Sequence, residues 1–494
     1  MRRWIWLLGL LVVGIAGTVW WSSRNAVRLE PLDTQRFAQM SEIEQVEWLI
    51  EQVLARSKRT DTITTLLEKL PFVRQSALRP LSYWEIEAIG IVCVEYDLPH
   101  WLSRSHRYAE TESYREHLRV YQAILQARKG DWQAAEQTVQ QIRTDPIKAF
   151  ARAHLGRLYA EAGRSDAAQQ SFDQATALLT RPSEPVYHFY QATALALMAR
   201  YSSLPDRPEA VAPFIGSLPE DLRRVAFWEM SNAYRRRGDA EPIRELIRIA
   251  PPSERRAMQA QLVRTLIEQG QVEAGLKELA RVGKWEDYQI VRIARALHRQ
   301  GRTQDARTFA DALRTRLLQH AAAKGHLPVR ISDSIRVSTP YGEVEVVFKS
   351  SYNTIFLLTR AYTEWGLPDQ AERLIAAMTP ESSLRQRLNL AYAHYTIGQQ
   401  AQARQQLERT IASTQQAASS GAWQAANRTQ LMHPLGLSME VGCAAAFCGE
   451  PALALEVADT IPLSEQRSIL LCILRDHTYR RNAFWKELLT IPWD

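Results

Sequence analysis

The stretch that decides the fold is Ala153-His154-Leu155-Gly156-Arg157-Leu158-Tyr159-Ala160-Glu161-Ala162-Gly163, followed by Arg164 to Ala167 and then by Ala168, Phe172 and Ala175. Apolar and small residues recur at helical spacing on both sides of Gly163, which predicts two helices joined at that glycine. We expect Gly156 to let the second helix approach the first, and Tyr159 and Phe172 to fill the space between them. Gly163 can adopt the left-handed conformation that ends a helix. The stretch therefore predicts a helical hairpin.

The turn glycine recurs along the chain, at Gly130, Gly163, Gly238, Gly270, Gly301, Gly366, Gly398 and Gly449. Several neighbouring glycines are about 32 residues apart, a period typical of stacked helical hairpins. A small residue follows five positions later in most units, and a tyrosine precedes three of the glycines by four positions. The residues predicted to pack the repeats are Leu155, Gly156, Tyr159, Gly163, Ala168, Phe172, Ala175, Tyr234, Gly238, Gly301, Ala306, Tyr362, Gly366, Ala371, Gly398 and Ala403.

The unit around Gly163 resembles the tetratricopeptide repeat (TPR), with its Leu-Gly-x-x-Tyr core from Leu155 to Tyr159 and the Ala, Phe and Ala of its second helix. It lacks the early Trp of that family, where Arg152 stands. The resemblance covers residues 118 to about 480, although most units match only the glycine, the small residue and the apolar stripes. Other helical-hairpin repeats would show the same marks. The resemblance implies an all-α fold, a right-handed α-α superhelix (TPR-like solenoid) whose surface binds proteins.

The N-terminus predicts a membrane anchor. After Met1-Arg2-Arg3, an uncharged run extends from Trp4 to Trp21. At ~1.5 Å per residue it reaches roughly 27 Å, close to the ~30 Å thickness of a bilayer core. Trp4, Trp6, Trp20 and Trp21 would lie at the two headgroup layers. We expect an uncleaved single-pass transmembrane helix with the body outside the cytoplasmic membrane. A cleaved signal peptide is the alternative, but it needs small residues after the apolar run.

Five segments are predicted. They are a transmembrane anchor (1–28), an irregular helical segment (29–117), TPR-like repeats (118–315), an insertion with a β-hairpin (316–352), and TPR-like repeats with C-terminal helices (353–494). The hairpin is indicated by two β-branched runs around Pro340-Tyr341-Gly342. Because an isolated hairpin is marginally stable in water, we expect it to pack on the array or on a partner.

Composition excludes several classes of protein. The net charge of +7 arises from 61 basic and 54 acidic residues, a small surplus that does not indicate a nucleic-acid partner. Basic runs such as Arg235-Arg236-Arg237 favour a solvated helix face. Four cysteines, at 93, 443, 448 and 472, are too few and too scattered for a disulfide framework. The eleven histidines show no metal-ligand spacing.

The sequence contains no phosphate-binding loop, zinc-binding helix motif or nucleophile elbow. No catalytic, cofactor-binding or metal-binding residues are therefore predicted, and the chain is not expected to be an enzyme. The hypothesis is a membrane-tethered scaffold that recruits or organises envelope proteins. Arg152 and Arg157 could face a binding groove, although a solvated face is the favoured interpretation. One alternative is an enzyme or ligand-binding protein with a cleft around His326 and Tyr341, and another is a module that self-associates.

Overall fold

The computed structural model describes residues 32–57, 80–327, 331, 333–349, 351–419, 434–461 and 463–488. The fold is about 79% helical, with 24 helices and one small sheet in the described ranges. In chain order the helices are α1 (Thr34–Gln39), α2 (Glu42–Ala55), α3 (Tyr83–Glu95), α4 (Pro99–Ser105), α5 (Glu112–Arg128), α6 (Trp132–Gln140), α7 (Asp145–Glu161), α8 (Ser165–Leu179), α9 (His188–Tyr201), α10 (Pro208–Ser217), α11 (Glu220–Arg237), α12 (Ala240–Ile249), α13 (Pro252–Glu268), α14 (Val272–Val282), α15 (Asp287–Arg299), α16 (Thr303–Lys324), α17 (Ser351–Glu364), α18 (Pro368–Ala376), α19 (Pro380–Thr396), α20 (Gln400–Ser419), α21 (Pro434–Phe447), α22 (Pro451–Asp459), α23 (Leu463–Arg481) and α24 (Ala483–Leu488).

The pair α7 and α8 shows how the hairpins are built. Gly163 lies between the two helices with a φ of 71°, a conformation that glycine adopts without steric cost. A Cβ atom on Gly156 would lie 2.8 Å from the Phe172 ring, so the two helices meet closely at that position. All eight turn glycines have positive φ, namely Gly130, Gly163, Gly238, Gly270, Gly301, Gly366, Gly398 and Gly449.

The helices form two layers. We call the odd-numbered helices α3 to α23 the first helices and the even-numbered helices α4 to α22 the second helices. Each first helix packs against the next first helix, and most second helices pack mainly on the first helix of their own pair. The exceptions are α10, which packs against α11 and α12, and α12, which packs mainly on α13. The first helices therefore form one continuous layer, and the second helices cover it.

The first-helix layer closes on itself. The last first helix, α23, packs against α3 and also against α2. One hydrophobic core includes buried residues from α2, α3 and α21 to α23. Polar contacts cross the same junction: Leu32 N donates to Asp459 Oδ1 at 3.0 Å and Arg56 Nε to Gln466 Oε1 at 2.7 Å. We call this junction the seam. The predicted right-handed α-α superhelix did not include this closure.

Aromatic residues fill the interior near the seam. The ring of Tyr83 at the start of α3 stacks on His117 and meets the ring of Tyr190 of α9 at 5.3 Å. The last described helix, α24, packs against α9 and α23. Its Trp485 is buried and donates from Nε1 to Glu95 Oε1 at 2.7 Å. This part of the first-helix layer therefore encloses a packed aromatic core between α3, α9 and α24.

The insertion is larger than the predicted hairpin. Strands β2 (Ser334–Thr339) and β3 (Gly342–Val347) pair in antiparallel register, and β1 (Lys284–Glu286) adds to β3 in parallel, giving the order β1-β3-β2. The sheet packs on α14 and α16. Strand β1 was not predicted, because three residues between two helices are too few to show an alternating pattern. The insertion is thus joined to the helical array through strand pairing.

The predicted fold class and location need correction. No helix in the described ranges combines the length and apolar character needed to cross a bilayer. The predicted transmembrane helix and the predicted single-pass membrane location were therefore wrong. The described residues form a helical array with a three-stranded sheet. The anchor residues Trp4, Trp6, Trp20 and Trp21 lie outside the described residues.

Candidate functional site

Five arginines on four consecutive first helices form the candidate site. They are Arg235 of α11, Arg264 of α13, Arg292 and Arg295 of α15, and Arg360 of α17. We call them the arginine cluster. Arg360 is buried and the other four are half-buried. Since α11, α13, α15 and α17 pack in series, the cluster crosses four neighbouring helices of one layer.

Two glutamates each bind two arginines of the cluster. Glu268 lies 2.8 Å from Arg235 Nη1 and 3.4 Å from Arg264 Nη2. Glu364 accepts from Arg295 Nε at 2.9 Å and lies 3.4 Å from Arg360 Nε. A carboxylate shared in this way leaves part of the donor capacity of Arg235, Arg264 and Arg295 available.

Arg292 completes the cluster without a carboxylate of its own. Its guanidinium carbon lies 5.9 Å from the centre of the Tyr288 ring, a cation–π contact, and it has no ion pair within the described part of the chain. Among the described residues, Arg235, Arg264, Arg292 and Arg295 outnumber the two carboxylates that pair with them, Glu268 and Glu364, by two (4 − 2 = 2). These four guanidinium groups therefore carry more positive charge than their carboxylate partners balance.

Burial and mutual repulsion act on these groups. Desolvation, with a further contribution from Arg235, lowers the pKa of Arg264 to about 10, although Glu268 opposes the shift. Desolvation also lowers the pKa of Arg292 and of Arg295. At a pKa of about 10 the guanidinium group is still protonated at neutral pH. A bound anion would relieve the repulsion, since opposite charges favour the charged form.

Polar and aromatic residues extend the surface along α11. Trp228, which is 36% exposed, Asn232 and Arg235 follow one another at helical spacing on one face. Gln261 Nε2 of α13 donates to Asn232 Oδ1 at 2.9 Å, so the two helices are held in register beside the cluster. Exposed Trp next to Arg is a combination enriched in protein interfaces.

The residues predicted to pack the repeats lie apart from this cluster. Leu155, Tyr159, Ala168, Phe172 and Ala175 are buried within the α7–α8 pair and its neighbours. Tyr234, Ala306, Tyr362, Ala371 and Ala403 are likewise buried, and Tyr362 Oη donates to Asp311 Oδ1 at 2.9 Å. Gly238, Gly301, Gly366 and Gly398 occupy turns of positive φ.

Arg152 and Arg157 are not on a solvated face. Both residues are buried; Arg152 pairs with Glu136, and Arg157 pairs with Glu161 at 2.8 Å. The guanidinium of Arg157 also lies 4.2 Å from the centre of the Phe484 ring in α24. Arg152 is therefore held between α7 and α6, and Arg157 lies in the interior beside α24.

The ionisable groups beside the insertion bind each other. Asp333, just before β2, accepts from Arg316 Nε at 2.5 Å and bonds His320 Nε2 at 2.9 Å. These hydrogen bonds, from Arg316 first and then His320, lower the pKa of Asp333 to about 2. His326 is exposed, and Tyr341 is half-buried under the ammonium of Lys277 at 5.4 Å. The alternative of a catalytic or ligand-binding cleft here stays a prediction.

The sequence does not predict the arginine cluster. The run Arg235-Arg236-Arg237 favours a solvated helix face, yet Arg235 is half-buried and paired across helices. The spacing of Arg292 and Arg295 places both on one helix face and was the available signal. Their meeting with Arg264 and Arg360 depends on how four helices pack.

No protein-family model matches the chain, and no curated protein matches its sequence. The chemistry of the cluster is therefore the basis for a functional proposal.

Proposed function

We propose that this protein is a protein-interaction module in which TPR-like helical repeats present the arginine cluster to an acidic segment of a partner. The observation that carries the proposal is that Arg235, Arg264, Arg292 and Arg295 outnumber the carboxylates that pair with them among the described residues. The repeat pattern supports it because repeat arrays offer extended surfaces for partners.

The chemistry of arginine favours carboxylates as the partner groups. A guanidinium group presents five donors in a planar fork that matches a carboxylate in two bonds, and such charge-assisted bonds are roughly twice as strong as neutral ones. Each cluster arginine is held by helix packing, so little further side-chain freedom is lost on binding. A partner segment with two or more Asp or Glu residues would neutralise the excess charge.

Binding of an acidic probe tests the proposal. Fluorescein-labelled hexaglutamate is titrated into the full chain and into the triple variant Arg264→Gln/Arg292→Gln/Arg295→Gln, and binding is followed by anisotropy. We expect the triple variant to bind at least about tenfold more weakly, since each charged hydrogen bond contributes about 1.5–3 kcal/mol. Binding should also weaken with added salt.

The matched control is Arg244→Gln/Arg248→Gln/Arg404→Gln, which removes three exposed arginines and the same total charge. Arg292→Gln alone is a second test, because that residue has no ion pair in the described ranges and its loss should disturb folding least. Equal binding by the triple variant and its control would rule out the cluster as the binding site. Cross-linking of the full chain with mass spectrometry then identifies natural partners, whose contacts should fall on α11 to α17.

A further inference from the structure

Strand β2 lies at the edge of the sheet, because the strand order is β1-β3-β2. In an antiparallel pair, every second residue turns its N–H and C=O groups away from the partner strand. Phe348 N donates to Asp333 O at 3.0 Å, which makes these two residues a hydrogen-bonded pair in the register of β2 and β3. The backbone groups of Ser334, Arg336 and Ser338 therefore point outward from the sheet.

These outward groups are open to a further strand. Ser334 N donates to Asp333 Oδ1 at 2.8 Å. The N–H groups of Arg336 and Ser338, and the carbonyl groups of all three outward residues, have no hydrogen-bond partner among the residues that the structure describes. All three residues are exposed. An exposed strand edge of this kind is a template to which an extended segment can add.

The outer face of the sheet carries a row of alternating charge. In register across the sheet, Lys284 lies beside Glu345, and Glu345 lies beside Arg336. Lys284 Nζ is 3.4 Å from Glu345 Oε1. Arg336 has a side chain that is 77% exposed and lies 3.7 Å from Glu343 Oε2. Because opposite charges on neighbouring strands stabilise pairing and like charges oppose it, the position beyond Arg336 in this row favours Asp or Glu.

The inner face of the sheet favours apolar side chains. Val337 is buried, and Ile335 is half-buried against the core beneath the sheet. On a strand added beside β2, the two neighbours of the acidic residue would lie on this face, next to Ile335 and Val337. Strand β3 has the same pattern on the other side of β2, with Glu345 between Val344 and Val346.

A second copy of β2 fits this edge poorly. Antiparallel pairing of two β2 strands about Arg336, the middle one of the three outward residues, places Arg336 opposite itself. Like charges directly opposite each other destabilise a strand pair. The charge row therefore favours a segment of different sequence.

We propose that β2 binds an extended segment of another protein, which adds an antiparallel fourth strand with an acidic residue opposite Arg336 and an apolar residue on either side of it. The backbone groups of Arg336 and Ser338 bind the segment, and the side chain of Arg336 selects its charge. This edge shares no residue with the arginine cluster. The inference goes beyond the proposed function and does not depend on it.

The probe is the fluorescein-labelled peptide Thr-Val-Glu-Val-Thr, which is titrated into the full chain and followed by anisotropy. Replacing its Glu by Lys should weaken binding about fivefold. The amide of the Glu would face β2, so its N-methylation should weaken binding at least about tenfold, whereas the amide of each Val would face away and its N-methylation should have little effect. Equal effects of the two N-methyl groups would overturn the proposal, as would no binding of the probe.

Variants locate the site. Arg336→Glu should weaken the Glu peptide about fivefold and strengthen the Lys peptide by a similar factor. The matched control Arg248→Glu makes the same charge change at an exposed helical position and should alter neither. Ser338→Pro removes an outward N–H without removing a β2–β3 hydrogen bond; it should weaken the Glu peptide at least about tenfold, whereas Ser338→Ala should bind it as the wild type does. If Arg336→Glu binds both peptides as the wild type does, the site is not this edge.

Two further measurements separate this edge from other binding modes. Bound probe should slow amide hydrogen exchange in β2, and the triple variant of the arginine cluster should bind the probe as the wild type does. Loss of probe binding in that triple variant would overturn this inference and leave hexaglutamate binding as evidence for the cluster. Sedimentation of the full chain tests the second copy: a dimer that Ser338→Pro converts to a monomer would overturn the proposal and make a second copy the occupant of the edge.

Discussion

Gly156 is required for close packing, whereas Gly163 is required for its backbone conformation. At Gly156 an added Cβ would lie 2.8 Å from the Phe172 ring, and at Gly163 it would meet nothing within 4 Å. The φ of 71° at Gly163 still disfavours other residues. Both glycines belong to the same sequence motif, so a motif alone does not say which physical constraint acts at each position.

Gly156→Ala is expected to destabilise the fold. The methyl group would force Phe172 or the backbone of α8 to move, and overpacking of this kind costs about 1–3 kcal/mol. Urea unfolding followed by circular dichroism measures the change. The matched control is Gly216→Ala in α10, where nothing lies within 4 Å of the added Cβ; it should be neutral or stabilise the helix by about 0.5–1 kcal/mol. If Gly216→Ala lowers the free energy of unfolding as much as Gly156→Ala does, close packing against Phe172 is not the reason that Gly156 is required.

His117 is buried, and neither ring nitrogen has a hydrogen-bond partner among the described residues. Burial lowers its pKa to about 3, whereas the unfolded value is about 6.5. Between these values the unfolded chain binds a proton at this site and the folded chain does not. The contribution of His117 to stability is therefore present above about pH 6.5 and is lost as the pH falls toward 3.

His117→Phe should reduce this loss on acidification. We expect the dependence of the unfolding free energy on pH, measured by urea titration from pH 7 to pH 4, to decrease by up to about 1.4 kcal/mol per pH unit. An apolar ring can also keep the stacking on Tyr83. His326→Asn, at an exposed position, should leave the slope unchanged. If the unfolding free energy of His117→Phe depends on pH as steeply as that of the wild type, the pKa of His117 is not lowered in the folded protein.

At the scale of elements, local patterns predicted the helices and failed for β1. Turn glycines and apolar stripes act within one hairpin, so the sequence could mark α7, α8 and their counterparts. Strand β1 is defined by its partner, since Trp285 pairs with Val346, some sixty residues later (346 − 285 = 61). The sequence at Lys284–Glu286 contains no signal for that pairing.

Trp285 is expected to anchor the sheet to the array. It is fully buried, and its Nε1 donates to Leu279 O at 2.9 Å. Trp285→Ala should lower the free energy of unfolding by about 3–5 kcal/mol and make β2 and β3 accessible to limited proteolysis. Trp84→Ala, at a site 55% exposed, is the control and should leave the digestion pattern intact. Unchanged cleavage between β2 and β3 in Trp285→Ala would show that the hairpin is held by other contacts.

At the scale of the whole molecule, the sequence could not show which surfaces meet. The arginine cluster forms because α11, α13, α15 and α17 pack in a particular register, and Arg235 and Arg360 are distant in the chain. The seam likewise joins α23 to α2 and α3. Repeat patterns report contacts between neighbouring units, and closure depends on contacts that no repeat contains.

The seam makes a whole-molecule prediction through Glu87 of α3 and Arg475 of α23, which lie 3.1 Å apart and 388 positions apart in sequence. Glu87 is 1% exposed and Arg475 is partly exposed. Arg475→Met should therefore lower the free energy of unfolding by about 2 kcal/mol, a smaller loss than breaking a fully buried ion pair would cause. Glu87→Met/Arg475→Met should recover much of that loss because no charge is left buried without a partner.

Hydrogen exchange distinguishes a closed layer from an open one. In a closed layer, Arg475→Met speeds amide exchange in α3 as well as in α23, because each helix covers the other. In an open array, a substitution near the C-terminus would affect only α21 to α23, since repeat units stabilise their neighbours. Arg404→Met, which breaks an exposed pair with Glu408, should alter neither helix. Two results together would show that the two ends of the chain fold independently. In Arg475→Met, faster exchange would be confined to α23, and in the double variant the losses in unfolding free energy of the two single variants would add.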